Sequence, residues 1–87
     1  MFEAASQDRS IIVQVGRNGN TEHVQLEAAA MELGDVELCN RIVRLSTLGV
    51  LRSQLALRLE MEGNHVMVQI PLPTEQQVDM YAASIDF

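Results

Sequence analysis

Apolar and polar residues alternate along Ile11-Ile12-Val13-Gln14-Val15 and again along Glu22-His23-Val24-Gln25-Leu26, with Gly16-Arg17-Asn18-Gly19-Asn20 between them. Two such runs around Asn-Gly predict a β-hairpin. With Asn18-Gly19 at the centre of a two-residue turn, Arg17 pairs with Asn20, Val15 with Glu22, Val13 with Val24 and Ile11 with Leu26. The apolar pairs then share one face, and a one-residue slip would scatter them. The opposite face carries Ile12, Gln14, Thr21, His23 and Gln25 and is mostly polar.

Beyond an Ala-rich connection the period becomes helical. Asp35 reads as an N-cap with Glu37 in the first turn, and a helix is expected over about 35–62, closed by Gly63-Asn64 in a left-handed C-cap. One apolar line follows Leu38, Ile42, Leu45, Leu48, Leu51, Leu55 and Leu59; a second follows Cys39, Val43, Val50, Leu57 and Met61. A surface helix needs a single stripe. The excess predicts a partner, with Ile42, Leu45, Leu48, Gly49, Leu51, Leu55 and Leu59 as the expected dimer or partner interface. Gly49 costs a helix interior roughly 1 kcal/mol relative to Ala, which a close backbone crossing would explain; a break into two helices at 45–49 is the alternative.

His65-Val66-Met67-Val68-Gln69-Ile70 alternates and suits a third strand or an extended arm at 65–70. After Pro71-Leu72-Pro73, Thr74 with Gln77 reads as a capping box opening a short C-terminal helix over about 75–85. Its apolar face is Val78, Tyr81, Ala82 and Ile85. Only about three turns long, it must dock to be stable. Residues 1–9 are expected to be a disordered or loosely ordered tail, and residues 10–87 one α+β domain.

At 87 residues the chain is near the lower size limit for folding on its own core, and its one cysteine excludes an internal disulfide. Six Arg, no Lys and 12 acids give a net charge of −6, against a general affinity for phosphate backbones. Nothing near Met1 reads as a signal peptide and no apolar run is long enough to span a membrane, so a cytoplasmic location and no membrane partner are expected. His23, Cys39 and His65 are scattered without metal-ligand spacing, and Cys39 reads as a small buried hydrophobe. Gly16-Arg17-Asn18-Gly19 fits the G-x-x-G pattern of single-strand clamps, but it joins strands and reads as a turn. Arg41, Arg44, Arg52 and Arg58 share the long helix with Glu37, Glu60 and Glu62 and read as a solvated mixed-charge face. No catalytic constellation, cofactor site or metal site is expected, and the chain reads as no enzyme.

The hairpin, the Ala-rich stretch and Gly34-Asp35-Val36-Glu37-Leu38 opening a long helix resemble the core of the YbaB/EbfC-like fold. Ser10 to Val15, Glu22 to Leu26, Ala29-Ala30-Met31, the Gly63-Asn64-His65 stop and the Pro73-Thr74 restart look like small actinobacterial proteins associated with ESX (type VII) secretion, of the EspD and EspH kind. The resemblance covers roughly residues 10–85. It implies a homodimer built through sheets and long helices, acting as an accessory or chaperone-like partner of another protein in secretion. YbaB-type relatives are nucleoid-associated and bind DNA; for that alternative the expected contacts are Arg41, Arg44, Arg52 and Arg58.

Overall fold

The central strand is where the core begins: Ile11, Val13 and Val15 are fully buried, and strands pair with this segment on both sides. A computed structural model describes residues 1–65 and 71–87. The chain is α+β, with a three-stranded antiparallel sheet in the order β1-β2-β3. Its strands are β1 (Phe2–Ala5), β2 (Ile11–Val15) and β3 (Thr21–Leu26), followed by the helices α1 (Ala28–Met31), α2 (Asp35–Gly63) and α3 (Glu75–Ala83).

The hairpin register is the expected one over most of its length, with Ile11 opposite Leu26 and Val13 opposite Val24. Near the turn it differs. The Gly16 N–H donates to Asn20 O at 2.8 Å and the Gly19 N–H to Gly16 O at 3.0 Å. The loop therefore has three residues, Arg17 to Gly19, with Gly19 left-handed at φ 83°. Val15 faces Thr21 instead of Glu22, and the ladder is irregular between Gln14 and Val15. Glu22 is the surplus residue of this bulge. Its side chain lies where a Cβ on Gly16 would stand.

The expected loose tail is instead β1, which pairs Phe2 with Val15 and Ala4 with Val13 and buries Ala4. Burial of one small face, together with a ladder to β2, compensates for weak local propensity. The turn into β2 is closed by Asp8, whose carboxylate accepts the Ser10 N–H at 3.0 Å and the Ser6 hydroxyl at 2.8 Å. Arg9 takes the left-handed conformation there, at φ 58°.

Helix α2 runs unbroken through Gly49 across β1 and β2. Its ends differ from expectation by one residue. Gly34 is the N-cap, with no side-chain cap bond, and Asp35 begins the helix. At the other end Gly63 stays helical, Asn64 is the C-cap, and the left-handed residue is His65 at φ 60°. The strand or arm expected at 65–70 falls, save for His65, outside the described residues. Helix α3 has the expected capping box: Thr74 Oγ1 accepts the Gln77 N–H at 3.2 Å and Gln77 Oε1 accepts the Thr74 N–H at 2.9 Å. It ends two residues early, at Ala83, and buries Val78 against α2 with Tyr81, Ala82 and Ile85 half-buried beside it.

Candidate interaction surface

Which stripe of α2 meets the sheet decides which is left for a partner. Leu45 and Leu48 are buried against the protomer's own sheet, as is Gly49, on which a Cβ would stand 2.5 Å from Val15 Cγ2. These three residues of the expected interface are core, because the sheet reaches them first. Ile42, Leu51 and Leu55 are half-buried around that core, and only Leu59, 51% exposed, stands largely clear.

The open flank belongs to the second line. Val43 is 62% exposed and Leu57 is 42% exposed, with Val50 half-buried between them. Cys39, expected to be buried, is exposed on the same flank. Seven residues turn a helix through nearly two full turns, so Val43, Val50 and Leu57 lie in one row. Arg52 marks the opposite flank, donating from Nη1 to the Glu3 carbonyl of β1 at 2.6 Å. Val50 and Leu57 line a depression together with Arg17, Asn18 and Gly19, so this end of the row borders the β2–β3 turn.

Among the described residues, β3 is left largely bare. All six residues of β3 are exposed, including Val24 and Leu26, whose cross-strand partners Val13 and Ile11 are fully buried. Among the described residues the core face thus continues onto β3 without a cover. On α2 itself is a shallow depression of about 310 Å³ lined by Ile42, Val43, Ser46, Thr47, Val50 and Leu51, none of them charged. The Thr47 hydroxyl donates to the Val43 carbonyl at 2.9 Å, which turns its polar atom back onto the helix.

The four helix arginines do not form one surface. Arg41 pairs with Glu37 at 2.7 Å and Arg58 with Glu62 at 3.0 Å, both one turn apart. Arg58 also donates to the Leu72 carbonyl at 2.9 Å, Arg44 to the Ser84 carbonyl at 2.6 Å, and Arg52 to Glu3. Three of the four thereby tie α2 to other segments by charge-assisted bonds to carbonyl oxygens. Arg17 pairs with Glu60 and Arg9 with Glu3, so every arginine has a partner inside the protomer. These long-range ties had no signal in the sequence, whereas the two pairs one turn apart did.

Among the described residues no group of three His, Cys, Asp or Glu side chains is placed to hold a metal ion, and no helix is long and apolar enough to cross a membrane. No family model, curated protein or solved structure matches the chain.

Proposed function

We propose that the chain is a non-enzymatic protein-interaction module that works as a homodimer, with the bare flank of α2 and the exposed strand β3 as its self-association surface. The observation that carries this is the row Val43, Val50 and Leu57 standing open on α2 in a chain that also leaves Val24 and Leu26 of β3 exposed. Covering an exposed Val or Leu side chain fully is worth about 1.5–3 kcal/mol, so the patch favours a cover.

A second copy suits it for an electrostatic reason. Protomers of net charge −6 repel, and a two-fold interface must complement itself. A depression lined only by aliphatic and hydroxyl side chains brings no charge against its own image. The likeness of residues 10–85 to ESX-associated proteins supplies the setting: a cytoplasmic accessory or chaperone-like role beside another protein in type VII secretion.

The test is light scattering coupled to size exclusion, on the wild-type chain and on Val43→Glu. The wild type is expected to elute as a dimer at micromolar concentration and the variant as a monomer with an unchanged circular-dichroism spectrum. A monodisperse wild-type monomer under those conditions refutes the reading.

A further inference from the structure

The four residues after α3 are gripped by two elements that are far away in sequence. Arg44 donates to the Ser84 carbonyl at 2.6 Å and faces the Asp86 carboxylate at 3.5 Å. The guanidinium groups of Arg41 and Arg44 both lie over the Phe87 ring, 4.9 and 5.1 Å from its centroid. From the β1–β2 turn, the Gln7 N–H donates to the Phe87 carbonyl at 2.7 Å. Ile85 and Phe87 pack against the edge of the core.

Two of the three receiving groups, Arg41 and Gln7, are held in place independently of these residues, whereas Arg44 bonds, among the described residues, only to the segment it grips. Glu37 fixes Arg41 at 2.7 Å. Gln7 sits in a turn closed by Ser6 N–H to Ile11 O at 3.0 Å and by the two bonds to Asp8. Of the contacts made, those to Ser84 and Phe87 carbonyls are open to any peptide. Two select side chains: the carboxylate at Arg44 and the aromatic ring under paired guanidinium groups. Asp86 is 84% exposed, so the grip opens to solvent, and it lies beyond the last residue of α3.

We propose that this set of groups, on the N-terminal half of α2 and the β1–β2 turn, is a recognition site for a partner protein's peptide carrying an acidic residue followed by an aromatic one. The chain's own Asp86-Phe87 is a latch that competes for it. Arg41, Arg44 and Gln7 are not among the residues lining the depression at Val43 and Val50, so peptide binding is read separately from self-association.

A labelled Ser-Ile-Asp-Phe amide is titrated into the full chain and into Phe87→Ala, with binding read by anisotropy. A tethered competitor acts at an effective concentration on the order of millimolar, so Phe87→Ala is expected to bind roughly tenfold tighter or more than the wild type. Adding Arg44→Gln, or replacing the peptide's Asp by Asn, is expected to reverse that gain. Equal binding to both chains, or none to Phe87→Ala, overturns the proposal and leaves the tail a structural strap only. If Phe87→Ala loses its circular-dichroism spectrum, Phe87→Leu, which keeps the apolar contact, is read in its place. Native-state hydrogen exchange of the wild-type Gln7 amide is a second arm: exchange well below the global opening cost supports a latch, and exchange only through global unfolding overturns it.

Discussion

Gly49 lies against Val15 so closely that a Cβ would stand 2.5 Å from Val15 Cγ2 and 3.2 Å from Val15 Cβ. Helix α2 and strand β2 thus meet at a point where one side lacks a side chain. Val15 is β-branched and fully buried, so it has no easy rotamer to move into. Gly49→Ala gains roughly 1 kcal/mol of helix propensity and meets overpacking that typically costs about 1–3 kcal/mol. With a stiff neighbour the upper part of that range applies, and a net loss of about 1–2 kcal/mol is expected in urea denaturation. Combining it with Val15→Ala should recover part of the loss, giving a favourable coupling energy of about 1 kcal/mol in the double-mutant cycle. A Gly49→Ala chain more stable than the wild type would show that α2 does not rest on β2 here.

The same contact explains how far the helix was legible. Two apolar stripes of the same period run along residues 35–62, and the period alone does not say which one faces the sheet. The small residues do: Gly49 and the buried Ser53 lie on one side, where backbones approach. Read that way, Leu45 and Leu48 are core, and Val43 and Leu57 are the surplus. The hairpin register was legible because Asn18-Gly19 and the alternation agree from Ile11 to Val13. The bulge at Glu22 was not, since a three-residue loop ending in Gly19 and a two-residue turn centred on Asn18-Gly19 use the same residues. Strand β1 was hidden for another reason. Phe2-Glu3-Ala4-Ala5 has little strand propensity, and what holds it is pairing to β2, which is not a local property. The turn residues Asp8 and Ser10 were its one visible sign.

Strand β3 offers a second test of self-association that leaves α2 intact. Among the described residues β3 is an edge strand, and its Val24 is partly exposed opposite buried Val13. A lysine there is the device by which exposed edges are kept from pairing. Val24→Lys is expected to shift the monomer–dimer equilibrium at least tenfold towards monomer in sedimentation equilibrium, a change of about 1.4 kcal/mol. Thermal stability of the protomer should fall by no more than about 1 kcal/mol, the span of strand propensity. Unchanged association would remove β3 from the interface and leave only the helix flank.

Helix α3 is nine residues long and depends on its cap. Thr74→Ala removes the acceptor for the Gln77 N–H and loosens the reciprocal Gln77 bond. A cost of about 1 kcal/mol is expected. It should appear as faster hydrogen exchange confined to amides of residues 77–83, with β2 amides exchanging as before. Uniform acceleration across the sheet would instead mean that α3 and the sheet open together.

Asp8 gives the fold a dependence on acid. Bonds from the Ser10 N–H first, then the Ser10 and Ser6 hydroxyls, hold its carboxyl at about 2, below the ordinary 3.8. A carboxyl depressed in the folded state contributes stability that is complete above its unfolded value. That contribution is lost as pH falls through the folded one. The window is therefore pH 3.8 down to about 2. Asp8→Asn keeps an acceptor oxygen for the Ser10 N–H but does not titrate, so the wild type should exceed it in urea midpoint at neutral pH. Other carboxylates titrate in both chains and cancel in the difference. That difference should narrow steadily across the window and vanish near its acid end. A gap that is constant from neutral pH to the bottom of the window would mean that the Asp8 charge adds nothing to the β1–β2 turn beyond what an amide oxygen supplies.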